Sequence, residues 1–279
     1  MKNFSNKVAA ITGAGSGIGR QLALELAERG AELALSDVNE AGLAETVAGC
    51  REAGAPRVSE ARVDVADRAA VEAWADAVVA EHGRANLIFN NAGVALASTL
   101  EAVSYEDFEW IMNINFWGVV HGTKAFLPHL RAAGEGHIVN TSSVFGLISV
   151  PGQGTYNATK FAVRGFTEAL RQELDMGGGG VSATCVHPGG IKTNIARDAR
   201  FDASMDALAG GEGKGKASFE KLFITEARSA AQTILRGVRR NQRRVLVGPD
   251  ARVIDWMQRT LPTGYHFMTT GLIRVAKRL

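Results

Sequence analysis

A doubly wound parallel α/β sheet, in a single domain with a C-terminal helical extension, is the fold this sequence predicts. Three observations predict it. Short β-type runs alternate with longer helical patterns along the chain, which argues for a parallel sheet with helices on both faces. A glycine-rich stretch, ITGAGSGIGR, stands where the first strand would feed the first helix. The chain has 279 residues of which 46% are hydrophobic, enough for one large core.

The elements follow in order. KVAAIT (Lys7–Thr12) predicts the first strand, and Ile18, Leu22 and Leu26 recur every four residues along the first helix. AELALSD (Ala31–Asp37) predicts a second strand and RVSEARVD (Arg57–Asp64) a third, before a helix marked by Val71, Trp74 and Val78. NLIFNNAG gives a fourth strand and its turn, and one long helical segment is expected from about Ser104 to Ala133. GHIVNTSS (Gly136–Ser143) is the fifth strand, Thr155–Met176 a helix, and VSATCVHP the sixth strand. A helix over about Thr225–Arg239 and the short strand RRVLVG resume the alternation.

Residues 1–249 are thus expected to form the main body, with a mobile loop over about 194–225 where the chain turns Gly- and charge-rich (AGGEGKGKAS). Residues 250–279 add amphipathic helices with Val253, Trp256, Met257 and Leu261 on one face.

The glycine-rich turn does not meet the generic spacing G-x-G-x-x-G, because Ile18 stands where its third glycine would be. Gly13, Gly17 and Gly19 fit T-G-x-x-x-G-x-G instead. A tight turn at a helix N-terminus presents free amides and a favourable dipole to a pyrophosphate, and Ser16 could add a hydroxyl. Asp37 ends the second strand, 18 residues beyond Gly19. That is near the distance expected for an acid that accepts from an adenosine ribose, and a carboxylate there repels a 2′-phosphate. No Arg or Lys occupies Ser16 or Val38. NAD is therefore expected, in preference to NADP.

Tyr156 and Lys160, in YNATK, lie one helical turn apart and share a face. Ser143 precedes Tyr156 by thirteen residues, at the end of the fifth strand. Ligand chemistry in a parallel sheet gathers beyond the carboxyl ends of its strands, so Ser143 should share a rim with the glycine turn. A phenol of ordinary pKa is a poor base at neutral pH. A cation nearby favours the phenolate, and Lys160 is placed to supply one. Ser143 could hydrogen-bond the reacting oxygen.

Taken together, T-G-x-x-x-G-x-G, NNAG, the serine and Y-x-x-x-K resemble the short-chain dehydrogenase/reductase family, in order from about Lys7 to Thr193. The resemblance implies a Rossmann-like sheet that holds NAD or NADP, with Tyr156 as acid/base and Lys160 and Ser143 beside it. Asn115 of NINFWG matches the asparagine that completes the family's catalytic set; Asn113 is a neighbour, but the spacing to Gly118 favours Asn115. It also places Gly13, Ser16, Gly17, Ile18, Gly19 and Asp37 on the cofactor, with Asp64 and Val65 beside the adenine. Asn91 and Gly93 would line the cofactor, and Ile191 and Thr193 of HPGGIKT would meet the nicotinamide carboxamide.

Other classes are disfavoured. A net charge of +2 from 31 basic and 29 acidic residues argues against a nucleic-acid partner. The six histidines show no paired ligand spacing, so no metal site is expected, and His187 reads as packed. Cys185 lies in an apolar run and reads as a buried reduced thiol, which with the absence of a targeting signal points to a cytoplasmic protein. No apolar stretch approaches the ~20 residues that span a bilayer. The basic, amphipathic GLIRVAKRL reads first as packing on a partner subunit in a homo-oligomer, dimer or tetramer, and second as peripheral membrane contact.

The activity expected is hydride transfer between NAD(H) and a secondary alcohol or ketone. Phe201, Met205, Leu208, Phe219, Leu222, Phe223, Trp256 and Met257 would wall the pocket, which favours an apolar substrate. The alternative is a dinucleotide-binding scaffold or sensor without turnover, which would have no need of an acid/base phenol. An epimerase or a methyltransferase fits less well: the first needs a larger substrate domain, and the second leaves Tyr156 and Lys160 unexplained.

Overall fold

Seven parallel strands make the central sheet, and their order explains where the chemistry sits. The computed structural model describes residues 1–195, 197–209, 211 and 223–276. Its elements are β1 (Val8–Thr12), α1 (Gly17–Ala27), β2 (Glu32–Asp37), α2 (Glu40–Glu52), β3 (Val58–Arg62) and α3 (Arg68–His82). Next come β4 (Leu87–Asn90), β5 (Leu96–Ala97), α4 (Tyr105–Met112), α5 (Gly118–Ala132), β6 (Gly136–Thr141) and α6 (Gly154–Gly177). The remainder is β7 (Val181–Pro188), β8 (Ile191–Lys192), β9 (Arg200–Phe201), α7 (Ser204–Ala209), β10 (Thr225–Glu226), α8 (Ala227–Arg239), β11 (Arg244–Val247), α9 (Pro249–Thr260) and α10 (Tyr265–Ala276).

The sheet order is β11-β7-β6-β4-β1-β2-β3, every pairing parallel. Strand order reverses between β1 and β4, so the loops after those two strands diverge and leave a crevice. The turn after β1 is the glycine-rich one, and the turn after β4 is NNAG.

Residues of β1 alternate between two cores. Ala9 and Ile11 face the cluster that holds Leu22 and Leu26 of α1, Leu43 and Val47 of α2, and Ile234 and Leu235 of α8. Val8 and Ala10 face the opposite cluster, with Val71 and Trp74 of α3, Phe126 and Leu130 of α5, and Leu170 of α6. A parallel sheet covered on both faces reads as near-continuous apolar strands, and all five residues of β1 are buried. Phe126 meets Trp74 edge to face at 5.2 Å between ring centres, a geometry that aromatic quadrupoles favour.

Helix starts obey ordinary capping. Asp67 accepts from the amides of Ala69 and Ala70 at the head of α3. Asp67→Ala should cost about 1 kcal/mol, read as a lower denaturation midpoint with an unchanged slope.

Two expectations need correction. The long helix expected from Ser104 to Ala133 is broken by a π-helical turn over Asn113–Trp117. Within the segment expected to be a mobile loop, β9 pairs with β5, Arg200 stacks over Trp110 at 3.6 Å, and its guanidinium reaches Asp107 at 2.6 Å. Phe219 and Leu222 lie outside the described residues. Finally, the apolar stripe of α9 faces outward, with Val253, Trp256 and Leu261 exposed. The inward side carries Ala251 and Asp255, because Arg244 of β11 draws Asp255 toward the sheet at 3.0 Å.

Among the described residues no helix is long and apolar enough to cross a membrane. Cys50 and Cys185 are both buried free thiols, pushed up to about 12 by burial.

Candidate active site

Gly13 and Gly17 have positive φ, +67° and +53°, a region where a side chain is strained. Space is short as well: a Cβ on Gly13 would lie 2.8 Å from Cα of Ala92, and one on Gly17 would lie 3.0 Å from Cγ2 of Thr193. The turn is therefore pressed between the loop after β4 and the segment after β8. Thr12, which sequence reasoning passed over, welds the first contact. Its hydroxyl accepts from the amides of Asn91 and Ala92 at 3.0 and 3.1 Å, and Asn91 Nδ2 donates to the Thr12 and Gly13 carbonyls.

Ser16 takes the N-cap position of α1 but makes no capping bond, and the first turn holds no acidic residue. The helix start thus keeps amides and a positive dipole end free for an anion. Beside it opens a cavity of about 460 Å3, bounded among others by Gly15, Ser16, Gly17, Arg20, Asn39 and Thr193. Glycines that admit no Cβ, an uncapped helix start and an open cavity fit a dinucleotide phosphate. Gly19 is buried and Ile18 packs half-buried on the core.

Asp37 ends β2 as expected. Its carboxylate accepts from the Gly15 amide at 2.8 Å and the Asn39 amide at 2.9 Å, and each oxygen retains a lone pair for a ribose hydroxyl. Asp64 is exposed one strand further out, with its carboxylate on the Ala66 amide. Val65 is buried beside it, packed so that a Cβ on Gly118 would come within 2.7 Å of its Cγ2. These two follow β3, the edge strand of the sheet.

The other end of the crevice gathers the reactive groups. Ser143 opens a short 3-10 turn, and its Oγ accepts from the Phe145 amide at 3.1 Å. Lys160 is buried, donates from Nζ to the Thr141 carbonyl at 3.1 Å, and lies 5.5 Å from the Tyr156 ring centre. Asn115 is fully buried on the π-helical turn: Oδ1 accepts from the Val94 amide at 2.8 Å, and Nδ2 donates to the Val94 carbonyl at 2.9 Å. Gly93 lies between them, since a Cβ there would fall 3.1 Å from Asn115 Oδ1 and 3.6 Å from Lys160 Nζ. Thus Asn115, Gly93, Lys160, Tyr156 and Ser143 form one cluster.

The electrostatics differ from expectation. Tyr156 keeps some access to solvent, yet burial of its hydroxyl pushes the phenol up to about 12, against a Ser143 hydrogen bond that pulls it down. Burial pushes the Lys160 amine down to about 8. In the free protein burial is the largest cause for both groups, and the phenol stays far from neutrality.

Two further residues hold the site: His187, packed as expected, and Asp250, for which no local pattern speaks. His187 is fully buried and its Nδ1 lies 2.9 Å from the Ser143 carbonyl; burial pushes the ring down to about 4, so it is a neutral brace. Asp250, from the start of α9, accepts from the Gly190 amide at 2.7 Å and fixes the turn before Ile191. Ile191 is buried and Thr193 contacts the glycine turn. Met205 and Leu208 of α7 close over Gly152, a short way before Tyr156.

A second cavity, about 660 Å3, is lined by Leu100, Pro151, Asn157, Ala158, Phe161 and Thr270, among others. Ser143, Tyr156 and Lys160 are not among its lining residues. Among the described residues no cluster could hold a metal ion.

The sequence profile of the short chain dehydrogenase family matches residues 7–203. A Mycobacterium tuberculosis protein named as an oxidoreductase, SadH, is 51% identical over 270 residues, covering 95% of this chain and 94% of its own. A Burkholderia phymatum short chain dehydrogenase/reductase solved with NAD superposes with TM-score 0.85 at 35% identity, over 94% of this chain and 96% of its own. Carveol dehydrogenase of Mycobacterium avium, also with NAD, gives 0.73 at 27%, over 84% and 91%.

Proposed function

This chain belongs to the short-chain dehydrogenase/reductase family, and from that premise we propose that it moves a hydride between NAD(H) and an apolar secondary alcohol or ketone, with Tyr156 as acid/base. The observation that carries the reading is the single cluster of Ser143, Tyr156, Lys160 and Asn115 beside the glycine turn. Family membership makes the chain an oxidoreductase; the substrate, the role of each residue and the preference for NAD are our reading.

The bound cofactor would accept or give the hydride at its nicotinamide. The chain's own residues do the rest. Gly13, Ser16, Gly17, Ile18 and Gly19 hold the pyrophosphate, Asp37 the ribose, and Asp64 and Val65 the adenine. Asn91 and Gly93 line the cofactor, and Ile191 and Thr193 orient the carboxamide. Ser143 donates to the substrate oxygen, and Tyr156 takes its proton during oxidation or returns it during reduction. Lys160 stabilises the phenolate, which a nearby cation favours, and Asn115 fixes the loop through Val94 against α6.

Apolar Met205 and Leu208, closing over Gly152, support an apolar substrate, and similarity to a dehydrogenase named for an alcohol, carveol, points the same way. The test is a series of secondary alcohols of graded hydrophobicity with NAD, followed by absorbance of the reduced cofactor. Turnover should rise along the series; a folded protein that reduces NAD with none of them contradicts the reading and leaves the scaffold.

Asp37 should set the preference for NAD. We expect kcat/KM to be higher with NAD than with NADP, and Asp37→Ala to narrow the gap, since removing the carboxylate removes repulsion of the 2′-phosphate. Preference for NADP in the unaltered protein would show that Asp37 does not meet the ribose.

A further inference from the structure

We propose that Glu45 is a second determinant of cofactor choice, setting a negative charge in the space that the 2′-phosphate of NADP would enter and offsetting the charge of Arg20 there. The inference rests on the reading of Asp37 as the ribose acceptor. Gly15 and Asn39, whose amides hold the Asp37 carboxylate, both line the 460 Å3 cavity. A phosphate carried on a ribose hydroxyl beside Asp37 therefore has this cavity as its adjoining space.

The cavity is not short of cations. Arg20 and Lys192 both line it, but each is already paired: Arg20 Nη2 with Glu45 at 2.8 Å, Lys192 with Glu226 at 2.6 Å. The Arg20 guanidinium is also fixed in place, because Nη2 donates to the Gly15 carbonyl at 2.6 Å and the Gly42 carbonyl at 3.0 Å. Three acceptors crowd one nitrogen that has two hydrogens, while Nε is buried with no partner. A guanidinium attracts phosphate through its charge, and two backbone carbonyls hold this one at the edge of the ribose site.

Glu45 is what spoils it. Its carboxylate lines the cavity, takes an Arg20 hydrogen, and adds negative charge where a phosphate would sit. Its side chain is 69% exposed and the pair is a surface one, so it adds little stability. Its effect is on which anion the cavity admits.

The test is calorimetric titration of the cofactor-free protein with ADP and with 2′,5′-ADP, for the unaltered chain, Asp37→Ser, and Asp37→Ser with Glu45→Gln, each checked by thermal melt. The unaltered chain should prefer ADP. Adding Glu45→Gln to Asp37→Ser should tighten 2′,5′-ADP by about tenfold, the scale of removing one like charge beside the phosphate, and leave ADP within about threefold. The gain should shrink at high salt. Equal 2′,5′-ADP affinity in the single and double variants, with ADP still preferred by the unaltered chain, overturns the role of Glu45 and leaves Asp37 standing. A preference of the unaltered chain for 2′,5′-ADP overturns both. Because Glu45 is exposed, Glu45→Ala offers a second substitution that must show the same gain.

Discussion

Tyr156→Phe is expected to bind NAD nearly as the unaltered protein does and to lose turnover by at least ~10²-fold, the lower end of what a positioned acid/base supplies. Phenylalanine keeps the ring and its edge-to-face contact with Phe145, at 6.1 Å between centres. It removes only the hydroxyl that Ser143 meets. Helix α6 has its polar brace elsewhere: Asn157 donates to the carbonyls of Phe145 and Ile148. The fold should therefore survive, and the loss should appear in kcat with little change in the NAD dissociation constant. Stopped-flow rates at saturating NAD, beside a cofactor titration, separate the two. Near-normal turnover in a folded variant removes Tyr156 from the mechanism.

Lys160→Met should have the second largest effect on rate, and its effect on stability should run the other way. Removing a cation near a phenol raises the phenol's pKa, so activity at neutral pH should fall and the basic limb of the oxidation profile should move upward. NAD affinity should weaken. Folding obeys a different sign. Burial holds the folded-state amine down at about 8, below its ordinary value of 10.5. Between those values the unfolded chain binds more protons than the folded one, so this group makes stability rise with pH there. Below about pH 8 the buried ammonium carries its full desolvation cost, which methionine does not. The Met variant should thus melt at or above the unaltered protein at pH 7, and the difference should narrow as pH rises toward 10.5. A lysine with a purely structural role predicts a lower melting temperature and an unshifted pH midpoint.

Much of this site could be read in the sequence because its parts are local. The T-G-x-x-x-G-x-G spacing, Asp37 at a strand end, and the i, i+4 pair of Tyr156 and Lys160 each rest on backbone periodicities that a few residues fix. What escaped was set by distant contacts. Nothing in NINFWG announces a π-helical turn, because the apolar spacing around it suits a continuous helix; Asn115 is turned inward by hydrogen bonds to Val94, 21 residues away. Asp250 acts on Gly190 across 60 residues. The outward face of α9 follows a distant contact too, since Asp255 turns in toward Arg244 of β11 at 3.0 Å. The Tyr156 pKa was not legible either: sequence supplies the neighbouring cation but not the extent of burial that overrides it.

With burial holding it at about 12, Tyr156 would become a useful base only if the positively charged nicotinamide ring of the oxidised cofactor joined Lys160 beside it. The measurement is the ultraviolet difference titration of tyrosine ionisation, with and without NAD, up to the pH at which the protein begins to melt. Subtracting the same titration of Tyr156→Phe removes the contributions of Tyr105 and Tyr265. The account predicts no Tyr156 signal in the free protein over that range and a clear ionisation, moved toward neutrality, once NAD is bound. A phenol that titrates identically with and without NAD contradicts it.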